Sequence, residues 1–143
     1  MKTRGIVFPE ANKYEWQELT LEEPGPRDLV VRTLVSAISP GTERWKLRGL
    51  HLGTEFPLAP GYHRIGVVER CGEEVSCFRP GDVVYGSRNR WKEPPQCATG
   101  AHVGMSVGDW QGYDLVSRER PSTRELESLV FAILAGVSNR GIR

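Results

Sequence analysis

Pro60-Gly61-Tyr62-His63-Arg64-Ile65-Gly66-Val67-Val68-Glu69-Arg70-Cys71-Gly72 decides the fold, together with Pro80-Gly81-Asp82-Val83-Val84-Tyr85 downstream. Ile65 to Val68 and Val83 to Tyr85 are short apolar runs rich in β-branched residues and bounded by Gly, Pro and Asp. That pattern predicts two strands. Gly72-Glu73-Glu74 is a polar turn between them. Pro80-Gly81-Asp82 is a second turn, with proline presetting φ and glycine free to take φ > 0. Gly61, Gly66, Pro80 and Gly81 read as framework residues. The unit they build is all-β.

Working outward, Asp28 to Ile38 is the longest strand candidate. Arg32 and Ser36 interrupt its apolar pattern on one face only, which places it centrally in a sheet. It runs through Ser39-Pro40-Gly41-Thr42-Glu43 into Arg44-Trp45-Lys46-Leu47-Arg48. That segment predicts one or two helical turns stopped by Gly49. Further upstream, Ile6 to Phe8 is a first strand ended by Pro9. A second strand follows, in which Tyr14, Trp16 and Glu18 alternate with Glu15, Gln17 and Leu19. Glu22-Glu23-Pro24-Gly25-Pro26 is a proline-stiffened turn.

Downstream, Arg90 to Gly104 reads as a long irregular loop. Ser122-Thr123-Arg124-Glu125 is a capping box. It opens one predicted helix from about Thr123 to Ser138, within a C-terminal segment 122–143. Leu126, Leu129, Val130, Ile133, Leu134 and Val137 form an apolar stripe on it, and Phe131, Ala132 and Ala135 widen that stripe. A helix apolar on so much of its circumference predicts burial against a partner.

Composition bounds the function. The chain has 143 residues and a net charge of +1. That length suits one domain with its own core. The balanced charge gives no sign of a nucleic acid or an acidic membrane as partner. Three cysteines, Cys71, Cys77 and Cys97, are too few and too irregular for a disulfide framework. Reduced thiols in a cytoplasmic protein are the expectation. No apolar run reaches membrane-spanning length. Ile6 to Phe8 is too short for the apolar region of a signal peptide.

The Pro60-to-Tyr85 segment resembles the alcohol dehydrogenase-like (GroES-like) N-terminal catalytic domain of the medium-chain dehydrogenase/reductase superfamily. There a PGHE-x-x-G-x-V run meets a PGD-x-V turn at similar spacing. Ile38-Ser39-Pro40-Gly41-Thr42-Glu43 is similar to that family's Ile-Cys-Gly-Thr-Asp. The resemblance covers roughly residues 1 to 137. It implies a mainly β fold: a partly open barrel with short helices and a C-terminal helix, all in one domain, 1–143. It implies the substrate-side half of an NAD(P)-dependent oxidoreductase, of the alcohol dehydrogenase or quinone or enoyl reductase kind.

The chemical residues depart from the zinc-bearing pattern. The zinc-ligating cysteine position is near Ser39, and the histidine position is Tyr62. Hydroxyls are poor zinc ligands. The four-cysteine structural zinc cluster is represented by Cys97 alone. Cys97 with His102 supplies two ligands, where zinc needs three or four. A zinc-free type is therefore expected. Ser39, Thr42 and Tyr62 are the candidates for polarising or protonating a small-molecule substrate. Each has a plainer alternative. Thr42 can be an N-cap for the following turn, and Tyr62 a packed tyrosine with a wet hydroxyl. Glu43 is either a first-turn acid favoured by the helix dipole or a pocket residue. His63 reads as a hydrogen-bonded surface histidine that titrates near neutrality. Trp45, Trp91 and Trp110 line either a cleft or the core and interfaces.

No strand leads into Gly-x-Gly-x-x-Gly, so no Rossmann fold is encoded in these residues. The expectation is that NAD(P)H is held mainly by a nucleotide-binding Rossmann subunit, docked on helix 122–143, or that the chain self-associates there. The rival reading is a non-catalytic ligand-binding or regulatory module that kept the fold and lost the chemistry.

Overall fold

The computed structural model of the chain describes residues 1–92, 94, 95 and 99–140; the side chains of Ile133, Val137 and Arg140 fall outside that description. Two strands open the chain, β1 (Lys2–Val7) and β2 (Glu15–Thr20), paired antiparallel. β3 (Asp28–Ala37), β4 (His63–Cys71), β5 (Val83–Gly86), β6 (Met105–Asp109) and β7 (Tyr113–Ser117) form a five-stranded sheet in the order β6-β3-β4-β5-β7. All its pairings are antiparallel and the sheets do not close on themselves. The architecture is mainly β and partly open, with three short α-helices among the described residues: α1 (Pro40–Leu47), α2 (Thr123–Leu129) and α3 (Ala132–Arg140). The 28–38 strand, expected to be central, is an interior strand: β3 lies between β6 and β4, and β4 is the middle strand of the five.

Alternation along the strands sorts side chains to two faces of the sheet. Leu29, Val31, Val68, Val84 and Tyr113 pack on one face, backed by Cys71, Val75, Phe78 and Trp110. Ala37, Ile65 and Val83 pack on the other, under Leu126 and Val130 of the C-terminal segment. Burying each of those last two side chains contributes about 1.5–3 kcal/mol, which is what holds α2 on the sheet. Val7, Leu19 and Val103 form a third cluster under Trp91. On β2 the aromatic face turns outward, and Tyr14 and Trp16 are exposed.

Two expectations need correction. The capping box is present as read, with Ser122 Oγ accepting from the Glu125 N–H and the Glu125 carboxylate accepting from the Ser122 N–H. The helix it opens is not continuous, however. α2 ends at Leu129 and α3 starts at Ala132. Periodicity of the apolar residues carried across the break because Val130, at the junction, is itself buried on the sheet. Ile133 and Val137 of the predicted stripe lie outside the described side chains. Second, Thr42 does not cap α1. Ser39 is the N-cap, with extended φ and ψ of −93° and 98°, and Pro40 follows at the first helical position. Among the described residues, no helix is long and apolar enough to cross a membrane.

Candidate functional site

The end of β3, the start of α1 and the start of β4 meet at one place, and the predicted hydroxyl residues lie there. Pro40 has no N–H to lose and fixes the turn into α1. Glu43, one turn on, reaches back so that its Oε1 accepts the Ser39 N–H at 2.9 Å. An orphan donor at the helix start is thereby satisfied by a carboxylate in the favourable sense of the helix dipole. Antiparallel pairing of Ala37 with His63 brings the beginning of β4 alongside. The Tyr62 O–H then donates to Ser39 Oγ at 2.7 Å.

Of the three predicted candidates, the structure joins Ser39 and Tyr62 directly. Thr42 is half-buried in the first turn of α1, and no side-chain hydrogen bond links it to them among the described residues.

Glu43 carries the network inward. Its Oε2 lies 2.9 Å from His102 Nε2, and His102 Nδ1 lies 3.0 Å from Ser36 Oγ. Glu43 and His102 are both buried. The continuous chain is Ser36–His102–Glu43–Ser39–Tyr62. It fixes the Ser39 backbone, hence the hydroxyl that Tyr62 meets, through a partner 59 residues away in sequence. Glu43 is thus a network residue as well as a first-turn acid. Gly61 makes room for it: at φ +95°, a Cβ there would sit 2.8 Å from the His102 ring. Cys97, the other half of the considered metal pair, lies outside the described residues.

His63 is not the surface histidine that its sequence position suggested. It is wholly buried. Its ring lies 4.2 Å from the Tyr62 ring and 6.0 Å from that of Phe131, between α2 and α3. Nδ1 is 3.3 Å from Tyr85 Oη, and among the described residues Nε2 makes no close hydrogen bond. Burial pushes its pKa below the ordinary histidine range; the Glu43 carboxylate and the Val130 carbonyl oppose that pull, and His102 adds to it. A histidine whose folded pKa is depressed stabilises the fold above its unfolded value of about 6.5. That contribution is lost as pH falls through the folded pKa. Urea denaturation should therefore show stability falling on acidification from pH 7.5 to pH 5. In His63→Phe that part of the fall should be absent; an unchanged pH slope would rule His63 out as its source.

Arg64 was not singled out in the sequence, yet it too is fully buried. Its guanidinium donates to the Gly86 carbonyl at 2.8 Å and to Tyr113 Oη at 3.1 Å, and lies over the Tyr113 ring at 5.9 Å. It ties β4 to the end of β5 and to β7. The available signal was parity: Arg64 shares the inward register of Gly66 and Val68. The tryptophans divide. Trp91 and Trp110 pack against the core, and Trp45 is exposed.

The sheet order and the strand–helix–strand site define a GroES-like catalytic-domain fold. Superposition on the CAD protein of Helicobacter pylori, solved in complex with NADP(H), gives a TM-score of 0.74 over 91% of this chain and 45% of that one, at 16% identity. A quinone oxidoreductase of Pseudomonas syringae gives 0.68 over 89% and 37%, at 23% identity. Residues 25–121 match the alcohol dehydrogenase GroES-like domain, and the chain belongs to that family, the N-terminal domain of the medium-chain dehydrogenase/reductase superfamily. In sequence it is 35% identical over 88 residues to 2-desacetyl-2-hydroxyethyl bacteriochlorophyllide A dehydrogenase of Cereibacter sphaeroides, covering 59% of this chain and 27% of that protein. The corresponding Rhodobacter capsulatus protein is 43% identical over 88 residues. The chain spans less than half the length of these solved structures.

Zinc-bearing members of the superfamily hold the metal with thiolate and imidazole. Hydroxyls are poor ligands for that ion. Ser39 and Tyr62 offer hydroxyls bonded to each other, and the two Glu43 oxygens already meet the Ser39 N–H and His102 Nε2. Among the described residues, no three His, Cys, Asp or Glu side chains converge as a metal site would need.

Proposed function

We propose that this domain forms the substrate side of the cleft of a zinc-free NAD(P)-dependent oxidoreductase, with the nucleotide held mainly by a Rossmann partner subunit. The observation that carries the proposal is the Tyr62–Ser39 hydroxyl pair, anchored by Glu43 where zinc-bearing relatives place metal ligands. The nicotinamide, when bound, supplies or accepts the hydride. The chain's own residues handle the proton. A phenol in a half-buried setting is a serviceable donor to a carbonyl oxygen. Tyr62 O–H turns from Ser39 to that oxygen and gives it the proton, and the phenolate regains one from solvent water through Ser39 Oγ, which takes a proton from the water as it passes its own on. Thr42, in the adjacent turn, is the third hydroxyl available to the substrate. Elemental analysis of the purified protein is expected to find no stoichiometric zinc, and finding it would overturn the metal-free part of the proposal.

The α2–α3 segment is the proposed docking surface. Leu129, Phe131 and Leu134 remain about 40% exposed, close together in sequence and flanking the helix break. A patch of this kind marks an interface. Pull-down with mass spectrometry is expected to recover a nucleotide-binding subunit. Phe131→Ser with Leu134→Ser should abolish that recovery without unfolding the domain, because both side chains are partly in water already. Calorimetry on the chain alone should show weak or no NADPH and NADH binding, since no phosphate-cradling glycine loop is present among these residues. Tight nucleotide binding by a monomer would refute the division of labour.

A further inference from the structure

A concavity lies against α1 that is not lined by any of the three proposed catalytic hydroxyls. It has a volume of about 320 Å³, at the lower end of small-molecule sites. Ile6, Phe8, Ile38 and Pro60 wall it, and α1 adds Pro40, Glu43, Arg44 and Leu47. Positions 40, 43, 44 and 47 fall on one face of a helix. Thr42 does not, and neither Ser39 nor Tyr62 lines the cavity.

Glu43 and His102, both buried, line its inner side, and their polar atoms are already engaged with protein partners. They bond each other at 2.9 Å, and the second Glu43 oxygen is taken by the Ser39 N–H. An occupant must therefore be apolar where it is deepest. Arg44 is the guanidinium among the lining residues. It is exposed and makes no ion pair or side-chain hydrogen bond among the described residues. Ile38 and Tyr14, both well exposed, leave apolar surface at the mouth. An apolar interior and an unpaired guanidinium at the rim together select one polarity of ligand.

We propose that this cavity binds a small amphipathic carboxylate, a short acyl or single-ring body inserted against Phe8, Ile38 and Leu47 with its carboxylate on Arg44. The site does not rest on the proposed oxidoreductase chemistry, since none of the three hydroxyl candidates forms part of it. Because its floor is the same Glu43 that fixes Ser39, an occupant touches the positioning network from behind.

Octanoate, octanol and octylammonium serve as probes in amide NMR titrations of the chain. Octanoate should give saturable shifts at Phe8, Ile38, Leu47 and His102. Octanol should bind the same place about tenfold more weakly, the expected loss of a charge-assisted hydrogen bond, and octylammonium more weakly again. Arg44→Gln alters an exposed residue and should bring octanoate down to the level of octanol while leaving octanol unchanged. Saturable octanoate shifts at Leu129, Phe131 and Leu134 instead, no saturation at all, or an Arg44→Gln variant that binds octanoate as well as the parent would each overturn the assignment.

Discussion

Gly66→Ala is expected to lose roughly 3 kcal/mol of stability or more, the upper end of overpacking costs. β4 crosses β3 at Gly66, opposite Thr33, beside an irregularity in the pairing between Thr33 and Val35. A Cβ there would lie 2.4 Å from Val31 Cγ1 and 2.7 Å from the Arg32 carbonyl oxygen. Rotating Val31 relieves the first contact only, because the second is with backbone in the central strand. Separating the strands would open the cluster of Leu29, Val31, Val68, Val84 and Tyr113. A small domain has about 5–15 kcal/mol in all, so much of the folded population is at stake. Gly41→Ala is the control. A Cβ at Gly41 meets nothing within 4 Å, and in a helix alanine gains up to about 1 kcal/mol over glycine. Urea denaturation of both variants decides the matter: Gly66→Ala within about 0.5 kcal/mol of the parent, the usual range for inconsequential substitutions, would mean that the close strand crossing is wrong.

The second large effect is expected at the hydroxyl pair. Tyr62→Phe keeps the ring that stacks on His63 and removes the O–H that reaches Ser39. Its stability cost should be about 1 kcal/mol, the net worth of one hydrogen bond. Turnover in the complete enzyme should fall on the order of a hundredfold, the lower bound for a lost proton donor. The loss should appear in kcat more than in KM, because the bond strengthens as charge develops on the substrate oxygen. Ser39→Ala should give a smaller loss, since it removes only the group behind the donor. Thr42→Val separates the third candidate. Full activity in both Tyr62→Phe and Thr42→Val would leave the site assignment without support.

The sheet was legible because its signals are local. β-branched alternation at Ile65 to Val68 and Val83 to Tyr85, and the turn at Pro80-Gly81-Asp82, need only neighbours in sequence to be read. The capping box at Ser122 was legible for the same reason. The interruption between α2 and α3 was not, because Val130 fits the helical stripe and the break shows only in backbone geometry. The hydrogen-bonded network was half legible. Ser39 and Tyr62 stood out as hydroxyls where the family resemblance implies metal ligands, but their mutual bond depends on the β3–β4 pairing. His63 and Arg64 were missed as buried groups because polarity predicts exposure, and only the packing around β4 reverses that prediction. Glu43 showed as a first-turn acid, and nothing local could reveal that His102 answers it.

The central claim, a metal-independent proton donor at Tyr62, is tested most directly by carbonyl reduction in the complete enzyme under a strong chelator, parent against Tyr62→Phe. The account predicts that chelation leaves the parent rate unchanged and that Tyr62→Phe is slower by about a hundredfold with or without chelator. A parent rate abolished by chelation and restored by zinc, with Tyr62→Phe as fast as the parent, would contradict it.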